Sequence, residues 1–221
     1  MRRRLQGVYD RLFAHFGPQH WWPGETPFEI LVGAILTQNT AWTNVERAIA
    51  NLQAAGVLAA EALLALPEAR LAELIRPSGY YNLKARRLRA CVQWFVERHG
   101  ADPARLAAAP YPAVRADLLG VRGVGPETAD SILLYAAGRP TFVVDAYTRR
   151  SFSRLGLVPP DVDYEALRAL FLDHLPVDVA CFNEYHALLV ALGKHLCRPR
   201  APRCADCPLR RSCRGPAAAP A

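Results

Sequence analysis

Apolar and polar positions along this chain of 221 residues alternate almost everywhere at helical spacing. Leu5, Val8, Tyr9, Leu12, Phe13 and Phe16 share one face of a predicted helix over 3–16, which Gly17-Pro18 ends. Pro27 to Leu36 is apolar almost all round, the pattern of a helix buried on every side. Trp42 to Leu52 predicts the next helix, and shorter ones fit 60–65 and 67–75 before the turn-rich Arg76-Pro77-Ser78-Gly79-Tyr80-Tyr81-Asn82. A helix from Leu83 to Arg98 is expected to turn Leu88, Cys91, Val92 and Phe95 inward and its arginines, with Lys84, outward. Pro110-Tyr111-Pro112 precedes a helix that runs into a glycine-rich turn, and a further helix carries Ala129, Ile132, Leu133, Tyr135 and Ala136 on one stripe. Helices then fit 146–155, 163–174 and 178–196. No run at strand period exceeds about four residues, so the predicted fold class is all-α.

Composition adds little to the fold but narrows the partners. Apolar residues make up 52%, enough for a globular core in one large or two small domains. The net charge is +7, and only Lys84 and Lys194 are lysines, so the basic character is arginine. That balance suits an anionic partner, and equally an arginine-rich coding bias. No apolar run is long enough to span a bilayer and no secretion signal is recognisable, so a cytoplasmic, nucleoid-associated protein with no membrane partner is expected.

Two stretches carry chemistry. The first is Leu119-Gly120-Val121-Arg122-Gly123-Val124-Gly125-Pro126-Glu127-Thr128-Ala129-Asp130. Its three glycines allow backbone angles that a Cβ forbids, and Pro126 suits the first position of a helix. A glycine turn opening a helix directs N–H groups at an anion such as a DNA phosphate; it is also an ordinary tight helix–helix corner. The second stretch is Cys197, Cys204, Cys207 and Cys213, in the pattern C-x6-C-x2-C-x5-C. Four thiolates this close suit Zn2+ or a [4Fe-4S] cluster, and a single C-x2-C knuckle favours the cluster. His195 is an alternative ligand, though a plain surface histidine fits it better.

Together these stretches resemble the helix-hairpin-helix DNA glycosylases of the endonuclease III superfamily, over nearly the whole chain. The resemblance implies a six-helix domain over 25–137 that contains the hairpin. A second helical domain, from 1–24 and 138–221, would carry a structural [4Fe-4S] cluster at 197–213, and the cleft between the two would receive double-stranded DNA with a damaged base. It places DNA contacts at Gln38, Asn39, Gly120, Arg122, Gly123, Val124, Gly125 and Thr128, and at Arg200 and Arg203 of the cysteine loop. A monomer is expected. Asp145, within Val144-Asp145-Ala146-Tyr147, stands where the family has its catalytic aspartate. A fixed carboxylate there stabilises the positive sugar as the base departs, and it also suits a helix N-cap. Phe142-Val143-Val144 gives it an apolar base, where a carboxylate pKa can rise.

Bifunctional members form a Schiff base through a hairpin lysine eighteen residues before the aspartate; here that position is Glu127. A monofunctional enzyme using water is therefore expected, with AP-lyase activity weak at most. Trp21-Trp22-Pro23, Ile35-Leu36-Thr37-Gln38-Asn39-Thr40 and Arg76-Pro77-Ser78-Gly79-Tyr80-Tyr81-Asn82 resemble the bacterial 3-methyladenine branch. There the Trp-Trp-Pro loop lines the pocket of the flipped base, and Gln38 would fill the gap it leaves. Electron-poor alkylated purines stack well on indoles; inter-domain packing is the plainer use of Trp21 and Trp22. Keeping the cysteine loop departs from that branch. Oxidised pyrimidines with lyase chemistry, or a catalytically weak module that only binds damaged DNA, are the alternative readings.

Overall fold

The computed structural model describes residues 1–215, which form twelve α-helices and no strand. The all-α expectation holds. The chain divides into two compact units: Trp22–Arg139, and Met1–Trp21 joined with the chain from Pro140 onward. Helix α1 (Arg2–Phe16) opens the chain. The unit Trp22–Arg139 supplies α2 (Pro27–Leu36), α3 (Trp42–Ala54), α4 (Ala60–Ala65), α5 (Glu68–Leu74), α6 (Tyr81–His99), α7 (Pro103–Ala108), α8 (Tyr111–Gly120) and α9 (Pro126–Ser131). The remaining helices are α10 (Ala146–Arg154), α11 (Tyr164–Leu172) and α12 (Val179–His195). None is long and apolar enough to cross a membrane.

Helix α2 lies at the centre of its unit, against α3, α6, α9 and the segment that follows α9. Thr26 caps it, accepting a bond from Glu29 N at 3.1 Å, with Pro27 at the first position. Leu31, Val32, Ile35 and Leu36 are all but completely buried, as a helix without a polar face requires. Helix α6 begins earlier than expected, after Tyr80 in a left-handed conformation, and Gly100 (φ 61°) ends it.

One placement on α6 reverses the expectation. Lys84 is buried rather than turned outward. It falls on the stripe Lys84, Leu88, Cys91, Phe95, one helical turn before Leu88, so the periodicity carries it inward despite its charge. After α9 the chain widens into a π-helical turn over Ile132–Ala136 where a continuous α-helix is expected. The extra residue in the turn leaves Ile132, Leu133, Leu134 and Ala136 buried and Tyr135 half-buried.

The other unit is built on aromatic packing. The rings of Phe142 and Phe171 stack face to face, and Phe182 and Tyr185 meet Phe142 edge-on at 5.7 and 5.9 Å. Tyr185 Oη donates to Leu5 O at 2.9 Å, tying α1 to α12. Burying each such ring contributes roughly 1.5–3 kcal/mol. Phe142, Val143 and Val144 are all sealed in this core, and they deliver the chain directly to Asp145.

Candidate functional site

Asp145 is the N-cap of α10. Its Oδ1 accepts from Thr148 N at 2.7 Å and from Thr148 Oγ1 at 2.9 Å. Its Oδ2 faces Nε2 of His186, on α12, at 3.4 Å, within ion-pair distance. The expectation of a raised pKa is corrected here. Burial does push the carboxyl up, but the His186 imidazole and the two bonds from Thr148 outweigh it and hold the group below its ordinary value. At neutral pH Asp145 is thus a fixed anion and a weak base. His186 had no signal in the sequence, since a histidine on the apolar stripe of α12 reads as a core residue.

Helices α8 and α9 form the hairpin. Arg115 clamps them, its Nε and Nη2 donating to the two oxygens of fully buried Asp130 at 2.9 and 3.0 Å. Of the three turn glycines only Gly123 is left-handed (φ 89°). Gly120 is part of α8 and Gly125 has φ −98°, angles open to any residue, so the turn uses the freedom of glycine at Gly123 alone. Arg122 and Gly125 are exposed on the turn, whereas Val124 is buried and its N–H is held by Val121 O at 3.0 Å. Gln38 is brought onto the hairpin: Nε2 donates to Gly123 O and to Thr128 Oγ1, each at 3.0 Å, and Oε1 accepts from Arg87 Nη1 at 2.6 Å. Asn39 is exposed and left-handed (φ 53°).

Trp22 meets Trp42 edge-on at 5.0 Å and leans against Tyr135 at 5.0 Å. Trp22 and Pro23 border an open cavity of about 480 Å3 together with Trp42, Glu25, Glu29 and Glu46. Burial pushes the Glu29 carboxyl up. Trp42 and the three glutamates went unread in the sequence, because they are scattered over two helices and a loop. Trp21 has Lys194 Nζ 5.8 Å from its ring centre. Lys194 and Arg200 also border an open cavity of about 570 Å3 with Tyr147, whose ring lies against Gly193 where a Cβ has no room.

Cys197, Cys204, Cys207 and Cys213 line one small cavity of about 30 Å3 with Leu196, Pro202 and Arg154. Among the described residues no three or more His, Cys, Asp or Glu side chains form a ready metal-ligating group. The surroundings nevertheless suit sulfur ligands. Arg154 Nη1 donates to Cys197 Sγ at 3.3 Å and Gly215 N to Cys213 Sγ at 3.4 Å, bonds that thiolates accept well. Arg154 also holds the loop backbone, through Arg198 O at 2.7 Å and Pro199 O at 3.1 Å. His195 does not line the cavity. Arg203 is paired with Asp206 at 2.8 Å, and Arg200 is exposed.

The model of the HhH-GPD superfamily of base excision DNA repair proteins matches residues 32–176. The inferred DNA repair glycosylase MJ1434 of Methanocaldococcus jannaschii is 48% identical over 208 residues, 93% of this chain and 94% of its own. The structure of the H. pylori 3-methyladenine DNA glycosylase bound to 1,N6-ethenoadenine aligns with a TM-score of 0.71 at 28% identity, covering 87% of this chain and 94% of that one. Endonuclease III in a non-covalent DNA complex shares the fold, with a TM-score of 0.82 at 22% identity over 97% of this chain and 95% of that one. A matched family model over most of the chain, a hairpin clamped by Arg115 and Asp130, and near-full-length relatives agree: the chain belongs to the HhH-GPD superfamily and is a base excision repair DNA glycosylase.

Proposed function

We propose that the protein is a monofunctional glycosylase that releases alkylated purines from double-stranded DNA by water attack at C1′. The observation that carries this reading is the Asp145 carboxylate, held ionised by Thr148 and His186. As the C1′–N bond breaks, its electron pair leaves with the base and positive charge builds on the sugar. The fixed anion stabilises that charge, and water then bonds to C1′ and releases its proton to solvent. Because the pKa of Asp145 is lowered, its contribution is electrostatic more than that of a base. Such a site serves a substrate that departs unaided, and a cationic alkylpurine leaves as a neutral molecule.

Other features of the chain support the same reading. Glu127 stands where a Schiff-base lysine is expected and cannot form an imine. Lys84 is sealed inside its unit, with Nζ bonded to two carbonyls. The cavity beside Trp22 and Trp42 offers indole faces to an electron-poor ring and three carboxylates to a positive one. The H. pylori relative binds an alkylated adenine, 1,N6-ethenoadenine. Cys197, Cys204, Cys207 and Cys213 would hold a [4Fe-4S] cluster. When bound, the cluster supplies cross-links rather than reaction chemistry, and makes the arginine-rich loop a rigid surface for phosphates.

The test is base release from two duplexes, one with 3-methyladenine and one with an oxidised pyrimidine, each scored with and without hot alkali. Release from the methylated duplex alone, with strand cleavage only after alkali, is the expected outcome. Cleavage of the oxidised duplex without alkali, with borohydride trapping of a covalent complex, overturns both substrate and mechanism.

A further inference from the structure

Helix α6 presents Lys84 and Arg87 three residues apart, hence on neighbouring positions of one side. Lys84 Nζ donates to the carbonyl of Leu36, the last residue of α2, at 2.7 Å, and to Ser78 O at 2.6 Å. Arg87 Nη1 donates to the side-chain oxygen of Gln38, two residues beyond that helix end, at 2.6 Å. The Gln38 amide nitrogen in turn donates to Gly123 O and Thr128 Oγ1 on the hairpin. Its two N–H groups and its carbonyl therefore all have named partners, and an amide so engaged has one orientation.

The hairpin end of this knot is closed by Arg87 as well. A Cβ on Gly123 would collide with Arg87 Cγ and Cδ, and φ of 89° strains any other residue there. Only glycine lets the arginine stem lie flat across the turn. One side chain thus touches both the residue read as the one that enters the duplex and the turn read as gripping the phosphates.

We propose that Arg87 is a positioning residue: it joins Gln38 and the Gly123 turn into one rigid piece, so that a duplex gripped by the hairpin meets Gln38 at a preset height in the base stack. This rests on the reading that Gln38 fills the gap left by the flipped nucleotide. Without Arg87, Gln38 must be ordered during binding, and that ordering is subtracted from affinity for a duplex with an extruded position. A plain phosphate contact by Arg87 behaves differently. It acts independently of Gln38 and adds roughly 0.9 to the log–log salt slope.

A double-mutant cycle on the full chain separates these cases. Arg87→Met, Gln38→Ala and the pair are compared with the unchanged protein by their affinity for a duplex with a tetrahydrofuran abasic analogue, and by the fluorescence of a 2-aminopurine beside it. Arg87→Met and Gln38→Ala are each expected to weaken binding about tenfold and to alter the 2-aminopurine signal, the order of effect of one lost charge-assisted hydrogen bond. The pair should be no worse than Gln38→Ala alone, with an unchanged salt slope, and Arg87→Lys should recover most of the loss. Additive losses, or a slope reduced by about 0.9 in Arg87→Met, make Arg87 a phosphate ligand and overturn the proposal. If Arg87→Met does not fold, Thr128→Val removes a Gln38 partner from the hairpin side, and it too must be non-additive with Gln38→Ala. Full affinity in Gln38→Ala rejects the reading of Gln38 itself, and this inference with it, whereas additivity rejects the inference alone.

Discussion

Asp145 and Gln38 are held in opposite ways. Asp145 is fixed largely by its own neighbourhood: an apolar run seals the chain before it, and Thr148, three residues later, supplies two of the bonds to its carboxylate. Only His186 comes from afar. Gln38 has no near neighbour among its partners, and Arg87, Gly123 and Thr128 reach it across 49, 85 and 90 positions. A charge held by a helix cap survives small shifts elsewhere in its unit. A side chain held by three separate segments reports on all of them at once, so the chemistry sits on a local device and the geometry of binding on a collective one.

The sharpest way to break this contrast is at Asp145. Asp145→Asn keeps the cap but removes the charge, and base release from an alkylated duplex should fall on the order of 10^3-fold while affinity for the abasic-analogue duplex is unchanged. A loss under tenfold would move the chemistry to another residue. His186→Phe comes next, with an expected loss of about tenfold, the equivalent of roughly 1.4 kcal/mol for one close electrostatic contact to the carboxylate. It also changes the acid limb of stability. Asp145 has a folded pKa below its unfolded one, so its contribution is present above about pH 4 and disappears as pH falls through the folded value. Without His186 the folded value rises and the interval between the folded and unfolded values narrows, so urea midpoints should fall less between pH 6 and pH 3 than in the unchanged protein.

The smallest expected effect lies on the collective side. Burial and the nearby Arg87 lower the Lys84 pKa to about 8 from an ordinary 10.5. Keeping its ammonium charged inside the unit is therefore a cost below about pH 8, relieved as pH rises toward 10.5. The stability of the unchanged protein relative to Lys84→Met should improve over that interval, measured as the difference between two urea titrations. A constant difference would mean that Lys84 is solvated or differently bonded.

How much of this was readable in advance follows the same division. The helices, the cap at Asp145 and the place of the hairpin were legible, because each depends on residues one to four positions apart. Helix α6 was legible in period but not in sign, for Lys84 lies on the apolar stripe and its charge argued against the burial the spacing implied. The π-helical turn at Ile132–Ala136 left no trace, since its apolar residues suit either helix. His186, Arg87, Arg115 and Arg154 acquire their meaning only from partners brought near by folding, and nothing in one chain's spacing names those partners. The lowered pKa of Asp145 was missed for the same reason: an apolar preceding run argues one way, and the imidazole that reverses it lies 41 positions on.

The burial of Lys84 also bears on labelling chemistry. With two lysines in the sequence and one of them sealed by two carbonyls, Lys194 is the side-chain amine left open to an amine-directed reagent. It stands beside Trp21 and borders the cavity formed with Tyr147 and Arg200. A succinimidyl dye would therefore attach, besides the α-amine of Met1, at one side chain, beside an indole and next to an arginine, without a cysteine having to be engineered or the cysteine loop disturbed.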